Sequence, residues 1–399
     1  MRAPPPPKPP PWHGRLHTTG VTGTNGKTTT TWLIAQALAR LARPVARTST
    51  LGAYLDEEPV TVPKNFEGFL ELMRRALQAG GRYAVIELTS ESLALGFGRA
   101  WPSRVGVFTN LSEDHLQFHK SFEHYLASKA QLFLGLPRDG VAVLNADDPC
   151  SQLIAEVVPP GARVVRYSRA GADVELRARS TELSWDGSAI EFEARGLVPG
   201  APDERGRLEI AAIGHAFAEN ALAALAAARV VGVSTRDACE AMAQATWPAG
   251  RFEVLSRRPG VVVDFAHTPD ALRRMVNTAR ALCRGRLTVV FGAGGNRDRG
   301  KRAKMGAAAR PADRVLLTTD NPRDEDPAAI AQAIRAGLEG HPGVELELDR
   351  RAAIKAAVSA AGEDDVVLIA GKGHERGQEL AGRVRPFSDQ EVVRELLGG

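Results

Sequence analysis

Short unbroken apolar runs alternate along this chain with segments of helical spacing. Tyr83-Ala84-Val85-Ile86-Glu87, Val105 to Asn110 and Val141 to Asn145 are apolar nearly throughout, and each ends on a polar residue. Runs of this length read as strands covered on both faces, and strands alternating with helices predict a doubly wound parallel sheet. Before them, Trp32 to Leu41 reads as an amphipathic helix with Leu33, Ala37, Leu38 and Leu41 on one face. Arg47 to Lys64 reads as a loop and Phe69–Ala79 as a second helix. Residues 163–213 change to short alternating runs broken by Gly and Pro, such as Glu191-Phe192-Glu193-Ala194, which predicts a small antiparallel meander. An alanine- and leucine-rich helix follows, Ala218 to Val231, and Trp247-Pro248-Ala249-Gly250 punctuates the chain.

Beyond that point the alternation restarts. Gly260 to Asp264, Leu287 to Gly292, Arg314–Thr319 and Val366–Ala370 read as strands, with Asp270–Cys283 as a helix. The fold class expected is α/β: a parallel-sheet, phosphate-loop ATPase domain with a small meander, then a Rossmann-like domain. The divisions expected are a disordered proline-rich arm over 1–14, a central domain over 15–247 and a C-terminal domain over 248–399. No Gly-x-Gly-x-x-Gly opens the second domain, which argues against a dinucleotide.

The chemistry centres on Gly20-Val21-Thr22-Gly23-Thr24-Asn25-Gly26-Lys27-Thr28-Thr29-Thr30, immediately before the first helix. A glycine-rich loop at a helix start turns backbone N–H groups toward one point at the positive end of the helix, and polyphosphate fits there. Lys27 supplies a mobile charge for the outer phosphates, and the Thr28 hydroxyl suits Mg²⁺. The spacing is not the strict P-loop pattern, whose first position falls on Val21. Glu87, Asn110 and Asn145 close their strands on the edge where open α/β sheets bind ligands. Glu87 is the stronger Mg²⁺ candidate, because hard cations want oxygen ligands. His115, after a strand, could bind metal; Lys129, by periodicity alone, reads as a solvated helix lysine.

In the second half three turns follow strands. Asp264 ends one and could accept from a ribose, while Thr268 or Asp270 can cap the next helix. In Asp320-Asn321-Pro322-Arg323 the proline stiffens the turn and the guanidinium can read a carboxylate bidentately. In Gly371-Lys372-Gly373-His374-Glu375 the glycines expose backbone donors and Glu375 could hold an ammonium. Together Arg323 and Glu375 could grip a zwitterionic amino acid.

Bulk properties narrow this only a little. The net charge of +4 comes from 51 basic and 47 acidic residues, with no basic block, so nucleic acid is not expected as a partner. Three scattered cysteines without metal-ligand spacing suit a reduced, cytoplasmic protein, and no apolar run approaches a membrane span. Pro4 to Pro11 holds seven prolines and one lysine and lacks a signal peptide's hydrophobic core.

These motifs, together with Asn110-Leu111-Ser112-x-Asp114-His115-Leu116, Asn145-Ala146-Asp147-Asp148, Gly250-Arg251-x-Glu253, Asp264-x-Ala266-His267-Thr268-Pro269-Asp270 and Gly294-Gly295-x-Arg297-Asp298-x-Gly300-Lys301-Arg302, resemble those of the Mur ligase family, in order from Gly20 onward. The resemblance is strongest to the branch that adds meso-diaminopimelate to a muramyl peptide during peptidoglycan synthesis. It implies an ATP-dependent ligase that phosphorylates an acceptor carboxylate and lets an amino acid's amine attack the acyl phosphate; a monomer is the expected form, although the sequence itself does not report oligomeric state. By the same resemblance, Gly23, Thr24, Asn25, Gly26, Lys27, Thr28 and Thr29 hold ATP, and Thr28, Glu87 and His115 hold Mg²⁺. Lys129 matches the lysine that the family carbamylates, which turns a cation into a metal-binding anion and makes Lys129 a further Mg²⁺ ligand. Asn220 matches its adenine-side asparagine, and Arg251 and Asp264 reach to phosphate and ribose. Arg297, Asp320, Asn321, Arg323, Gly371 and Glu375 match contacts to diaminopimelate, and Ser90, Asn110 and His267 fall at substrate-binding positions.

Three departures bear on the acceptor. Members of that branch carry an N-terminal domain for the UDP group, whereas a proline-rich arm precedes the loop here, so the expected acceptor either lacks a nucleotide or meets that domain elsewhere. The family's Glu-x-Ser-Ser-His reads Glu87-Leu88-Thr89-Ser90-Glu91, and its Asn-x-x-Asn reads Phe217-Ala218-Glu219-Asn220. The alternatives are a Mur-like ligase for a non-nucleotide acid, of the folylpolyglutamate or poly-γ-glutamate synthetase kind, and a silent nucleotide-binding partner.

Overall fold

The computed structural model describes residues 7–112, 119, 121–247 and 250–398. It divides into two compact units, one of residues 1–182, 188–211 and 215–246, the other of residues 183–187, 212–214 and 247–399. His115 lies outside the described residues.

The first unit is built on an 11-stranded sheet. Its strands are β1 (His17–Thr22), β2 (Val45–Ser49), β3 (Gly52–Leu55), β4 (Glu58–Pro59), β5 (Tyr83–Glu87), β6 (Val105–Phe108), β7 (Val141–Asn145), β8 (Arg163–Ser168), β9 (Leu176–Ser184), β10 (Gly187–Ala194) and β11 (Glu204–Ile210). The order is β11-β10-β9-β8-β7-β6-β1-β5-β2-β3-β4. β1 is parallel to both β5 and β6, so the phosphate loop that follows it emerges from the middle of the sheet, with strands built outward on either side. The apolar runs become central strands because both faces are covered: Val85, Val107 and Val143 are fully buried.

Several expectations change here. Within the segment 163–213, β8 runs parallel to β7 and β9 and so continues the same sheet, and the antiparallel part expected there is its outer end, where β10 pairs antiparallel with β11. The expected loop over 47–64 contains β3 and β4, an antiparallel ribbon on β2. Arg47 of β2 lies between Trp32 and the ribbon's Tyr54. Its guanidinium lies 4.0 Å from the Trp32 ring centroid and 3.9 Å from that of Tyr54. Burial pushes its pKa down to about 10. The first helix starts at Lys27 and ends at Leu38, and it is covered nearly all round, with Thr29, Thr30, Leu33 and Ile34 buried. Leu41 lies beyond its end, 40% exposed, so the one-sided stripe does not hold. The end of the proline-rich arm is folded as well: Trp12 packs on Trp101, and the His13 Nε2 lies 2.8 Å from the Pro102 carbonyl.

The second unit has a six-stranded sheet of order β12-β13-β17-β14-β15-β16. The strands are β12 (Glu253–Arg257), β13 (Gly260–Asp264), β14 (Leu287–Phe291), β15 (Arg314–Leu317), β16 (Val344–Leu346) and β17 (Val366–Ala370). All pairs are parallel except β12–β13. A small ribbon, β18 (Gly377–Leu380) and β19 (Arg383–Pro386), follows. The carboxyl ends of β13, β14, β15 and β17 carry Asp264, the 292–302 loop, the Asp320–Arg323 turn and the Gly371–Glu375 turn.

Candidate active site

The phosphate loop has little steric freedom. Gly23 sits at φ +155° and Gly26 at φ +84°. A Cβ on Gly23 would lie 1.9 Å from the Thr109 hydroxyl, and one on Gly26 would lie 2.1 Å from Asn220 Oδ1. These two glycines are therefore required, and Asn220 of the helix His215–Val231 stands directly against the loop. Asn110 braces the loop's backbone: its Oδ1 accepts from Asn25 N–H at 2.9 Å, and its Nδ2 donates to the Asn25 carbonyl at 3.1 Å. Lys27 Nζ donates to the carbonyls of Thr24 (2.9 Å) and Gly23 (3.1 Å). The start of the helix at Lys27 leaves its first N–H groups pointing out of the loop.

Glu87 meets that loop. Thr28 Oγ1 donates to Glu87 Oε2 at 2.8 Å, and the Thr50 N–H donates to the same oxygen at 3.2 Å. A carboxylate and a hydroxyl oxygen this close form part of a hard, all-oxygen donor set, which suits Mg²⁺. Among the described residues no cluster of three His, Cys, Asp or Glu side chains stands together. Water and phosphate oxygens would complete the coordination, as Mg²⁺ prefers.

Lys129 departs from the solvated reading. It is 1% exposed on the helix Phe122–Leu134, which is capped by Ser121 accepting from the His124 N–H. Its Nζ donates to the Gly23 carbonyl at 2.6 Å and lies 4.4 Å from the Tyr125 ring centroid. The helix thus carries an amine to Gly23 of the loop. Ser90, at the start of the short helix after Glu87, pairs with a residue not chosen from the sequence: its Oγ lies 2.8 Å from Nε2 of the buried His119. The ring's Nδ1 lies 3.1 Å from His124 Nδ1. His119 lies three residues beyond the motif that ends at Leu116, so no sequence signal singled it out.

A cavity of about 570 Å³ begins at Glu87. Leu51, Val62, Phe69, Leu72, Leu88 and Phe97 make its wall largely apolar, with Thr89, Ser92 and Lys64 as polar elements. Asn145 and Asp148 do not line it. Asn145 Nδ2 donates to the Thr109 carbonyl (2.7 Å) and Glu219 Oε1 (3.0 Å), and Asp148 Oδ2 accepts from the Leu111 N–H at 2.7 Å. Glu219, two residues after the departure at Phe217, is therefore an internal partner of a strand-end asparagine.

In the second unit Asp264 is buried, and its oxygens accept from the N–H groups of Phe252 and Ala266, both at 2.7 Å. Burial pushes its pKa up, and Arg251 and the backbone donors act against that. These bonds tie the end of β13 to the backbone before β12 as well as to the turn that follows Asp264. Arg251 lies 4.8 Å from the Phe265 ring centroid, and His267 is exposed with Nδ1 3.0 Å from the Phe265 carbonyl. Thr268, rather than Asp270, caps the next helix by accepting from Ala271 N–H.

The Asp320–Arg323 and Gly371–Glu375 turns converge. Asn321 Nδ2 donates to Glu375 Oε2 at 2.8 Å. Arg323 sits at φ +53°; its Nη1 donates to the Gly295 carbonyl at 2.8 Å and its Nε lies 3.0 Å from Glu379 Oε2. A Cβ on Gly371 would lie 2.5 Å from Asp320 Oδ2. A Cβ on Gly294 would lie 3.1 Å from Arg323 Nη1 and 3.6 Å from the side chain of Arg297, so the two arginines flank one glycine. The buried pair Arg350–Asp389 secures the strand end below: Arg350 donates to Asp389 Oδ1 (2.8 Å) and Oδ2 (2.7 Å), and to the Ala370 carbonyl at 3.0 Å.

Glu325 holds the 292–302 loop. It accepts from Arg302 (2.9 Å) and the Asn296 N–H (2.7 Å), and pairs with Arg299 at 3.1 Å. Arg302 leads the interactions that lower its pKa from 4.5 to about 2. A carboxyl held lower in the folded state adds stability above its unfolded pKa and loses it as pH falls toward the folded one. Glu325→Gln is therefore expected to flatten the loss of thermal stability between pH 4.5 and about 2, as followed by circular dichroism melts. An unchanged slope would remove this assignment.

Comparison with known proteins follows the same division. The Mur ligase middle domain matches residues 21–228, and the Mur ligase glutamate ligase domain matches residues 250–373. A UDP-N-acetylmuramoyl-L-alanyl-D-glutamate--2,6-diaminopimelate ligase of Aquifex aeolicus is 38% identical over 393 residues, covering 96% of this chain and 78% of the relative. The ligase of that name from Thermosynechococcus vestitus is 39% identical, covering 95% and 76%. A solved structure of such a ligase superposes with a TM-score of 0.68 at 33% identity, covering 96% and 78%. A folylpolyglutamate synthase of Mycobacterium tuberculosis, at 20% identity and a TM-score of 0.71 over 97% of this chain and 92% of its own, shares the fold.

Proposed function

The chain belongs to the Mur ligase family and is by that membership an ATP-dependent amide ligase, and we propose that it joins meso-diaminopimelate, or a close analogue, to the free carboxylate of a muramyl-peptide-like acceptor. ATP takes the Gly23–Thr29 loop. The acceptor's carboxylate lies at Glu87, its body in the adjoining cavity, and the amino acid at Arg323 and Glu375. The observation that carries the reading is the meeting of Thr28, Glu87 and Lys129 on one glycine loop, since Thr28 bonds Glu87 and Lys129 bonds Gly23.

The acceptor carboxylate attacks the γ-phosphorus of ATP, and ADP leaves. The amine nitrogen then attacks the acyl carbon, the bond to the phosphate oxygen breaks, and phosphate leaves as the nitrogen loses a proton. Lys27 and the loop's N–H groups stabilise the transferring charge, and Ser90 and His119 orient the acceptor. Mg²⁺, held by Thr28 and Glu87, would offset the charge on the phosphates when bound. Lys129 is assigned as a carbamate. The amine in its neutral form adds CO₂ with loss of one proton and becomes an anion.

One observation favours a second reading of the acceptor. The cavity wall at Leu51, Val62, Phe69 and Phe97 suits an apolar body better than a diphosphate. Phosphate release from ATP, measured with diaminopimelate and with paired acceptors bearing or lacking the UDP group, separates the readings. Release that depends on the amino acid and an acceptor is expected, and none with any pair would end the ligase proposal.

A further inference from the structure

We infer that Lys372 is a positioning residue for amino-acid choice: it locks Asn321 and Glu375 into one arrangement and so presents a single carboxylate oxygen to the incoming ammonium. The inference rests on reading this cluster as the amino-acid site. Lys372 follows the end of β17, between Gly371 at φ +115° and Gly373 at φ +50°. Those left-handed residues turn the chain sharply on both sides of it. Its side chain is 0% exposed, so it cannot itself reach a dissolved substrate.

A buried ammonium persists only where acceptors surround it. Lys372 Nζ donates to Asn321 Oδ1 and to Glu375 Oε2, both at 3.0 Å. Asn321 Oδ1 also accepts from the Glu379 N–H at 3.0 Å. Two donors on that oxygen fix which way the amide faces, and its Nδ2 is left to donate to Glu375 Oε2 at 2.8 Å. Glu375 Oε2 therefore receives two hydrogen bonds. Oε1 holds the remaining acceptor capacity, on a side chain that is 35% exposed. Without Lys372 the Asn321 amide loses the donor that sets its orientation, and the carboxylate loses one of the two that hold its rotamer.

Kinetics of the full chain, with ATP and whichever acceptor gives turnover, test this. Lys372→Met is expected to raise the KM for meso-diaminopimelate by about ten-fold or more, the scale of a lost charged hydrogen bond, while the KM for ATP stays within about two-fold. The preference for diaminopimelate over 2-aminopimelate, which lacks the second amine, should fall toward unity. The preference over L-lysine, which lacks the second carboxylate, should persist, because Arg323 remains. In the double variant K372M/E375Q the loss should equal that of E375Q alone, since a residue acting through another adds nothing once the other is gone. Lys372→Gln repeats the test if Lys372→Met does not fold. An unchanged 2-aminopimelate ratio, or additive losses in the double variant, would overturn the inference. If E375Q itself leaves diaminopimelate kinetics unchanged, the amino-acid site is what has been misplaced.

Discussion

Lys129→Ala is expected to lower turnover by about a thousand-fold, the scale of removing a preorganised charge from a transition-state site, while ADP still binds within a few-fold of its normal affinity. The split follows from position. Nucleotide affinity comes from the loop: the glycines at 23 and 26, the N–H groups at the helix start, and Lys27. Lys129 belongs to a different element, the helix Phe122–Leu134, and reaches the loop at the Gly23 carbonyl. Removing it leaves the loop's own bonds to Asn110 in place. It takes away the group whose carbamate is assigned to the charge of the transferring phosphoryl. Single-turnover phosphate release and calorimetric titration with ADP measure the two quantities. Turnover near the normal rate would remove the carbamate role, and loss of ADP binding would make Lys129 a brace of the loop.

Arg323→Ala should raise the KM for diaminopimelate by about a hundred-fold, the upper range for losing a charge-assisted hydrogen-bonded pair, with the KM for ATP nearly constant. The main chain at Arg323 is held independently of its side chain: its N–H donates to the Glu379 carbonyl at 3.1 Å, and its carbonyl accepts from Ala381 at 2.7 Å. The turn should therefore survive, and the effect should report the guanidinium. Arg323→Lys should recover little, because a single ammonium cannot reproduce the planar fork. Equal rises in both KM values would point to a collapsed turn and away from substrate recognition.

Both positions were singled out by motif, yet their settings differ from what spacing alone suggested. Lys129 reads as a solvated helix lysine, and it is buried. Asp264 reads as able to accept from a ribose, and within the protein its oxygens also accept from the N–H groups of Phe252, twelve residues away, and Ala266. Asn110 falls at a substrate-binding position by resemblance, and within the protein both of its amide groups bond Asn25. His119, Glu325 and Lys372 bear on the site through partners 29, 23 and 51 residues away along the chain, which no local pattern encodes.

Local chemistry in the sequence determined the glycine loop, the strand runs and the turns after them. Loop conformation, strand burial and capping depend on neighbours a few residues apart. Sheet order, the addition of β8–β11 to the first sheet, and the pairing of Ser90 with His119 were decided by tertiary packing. Those features depend on which distant segments compete for the same buried surface, and a carboxylate or an amine takes its role from what finally surrounds it.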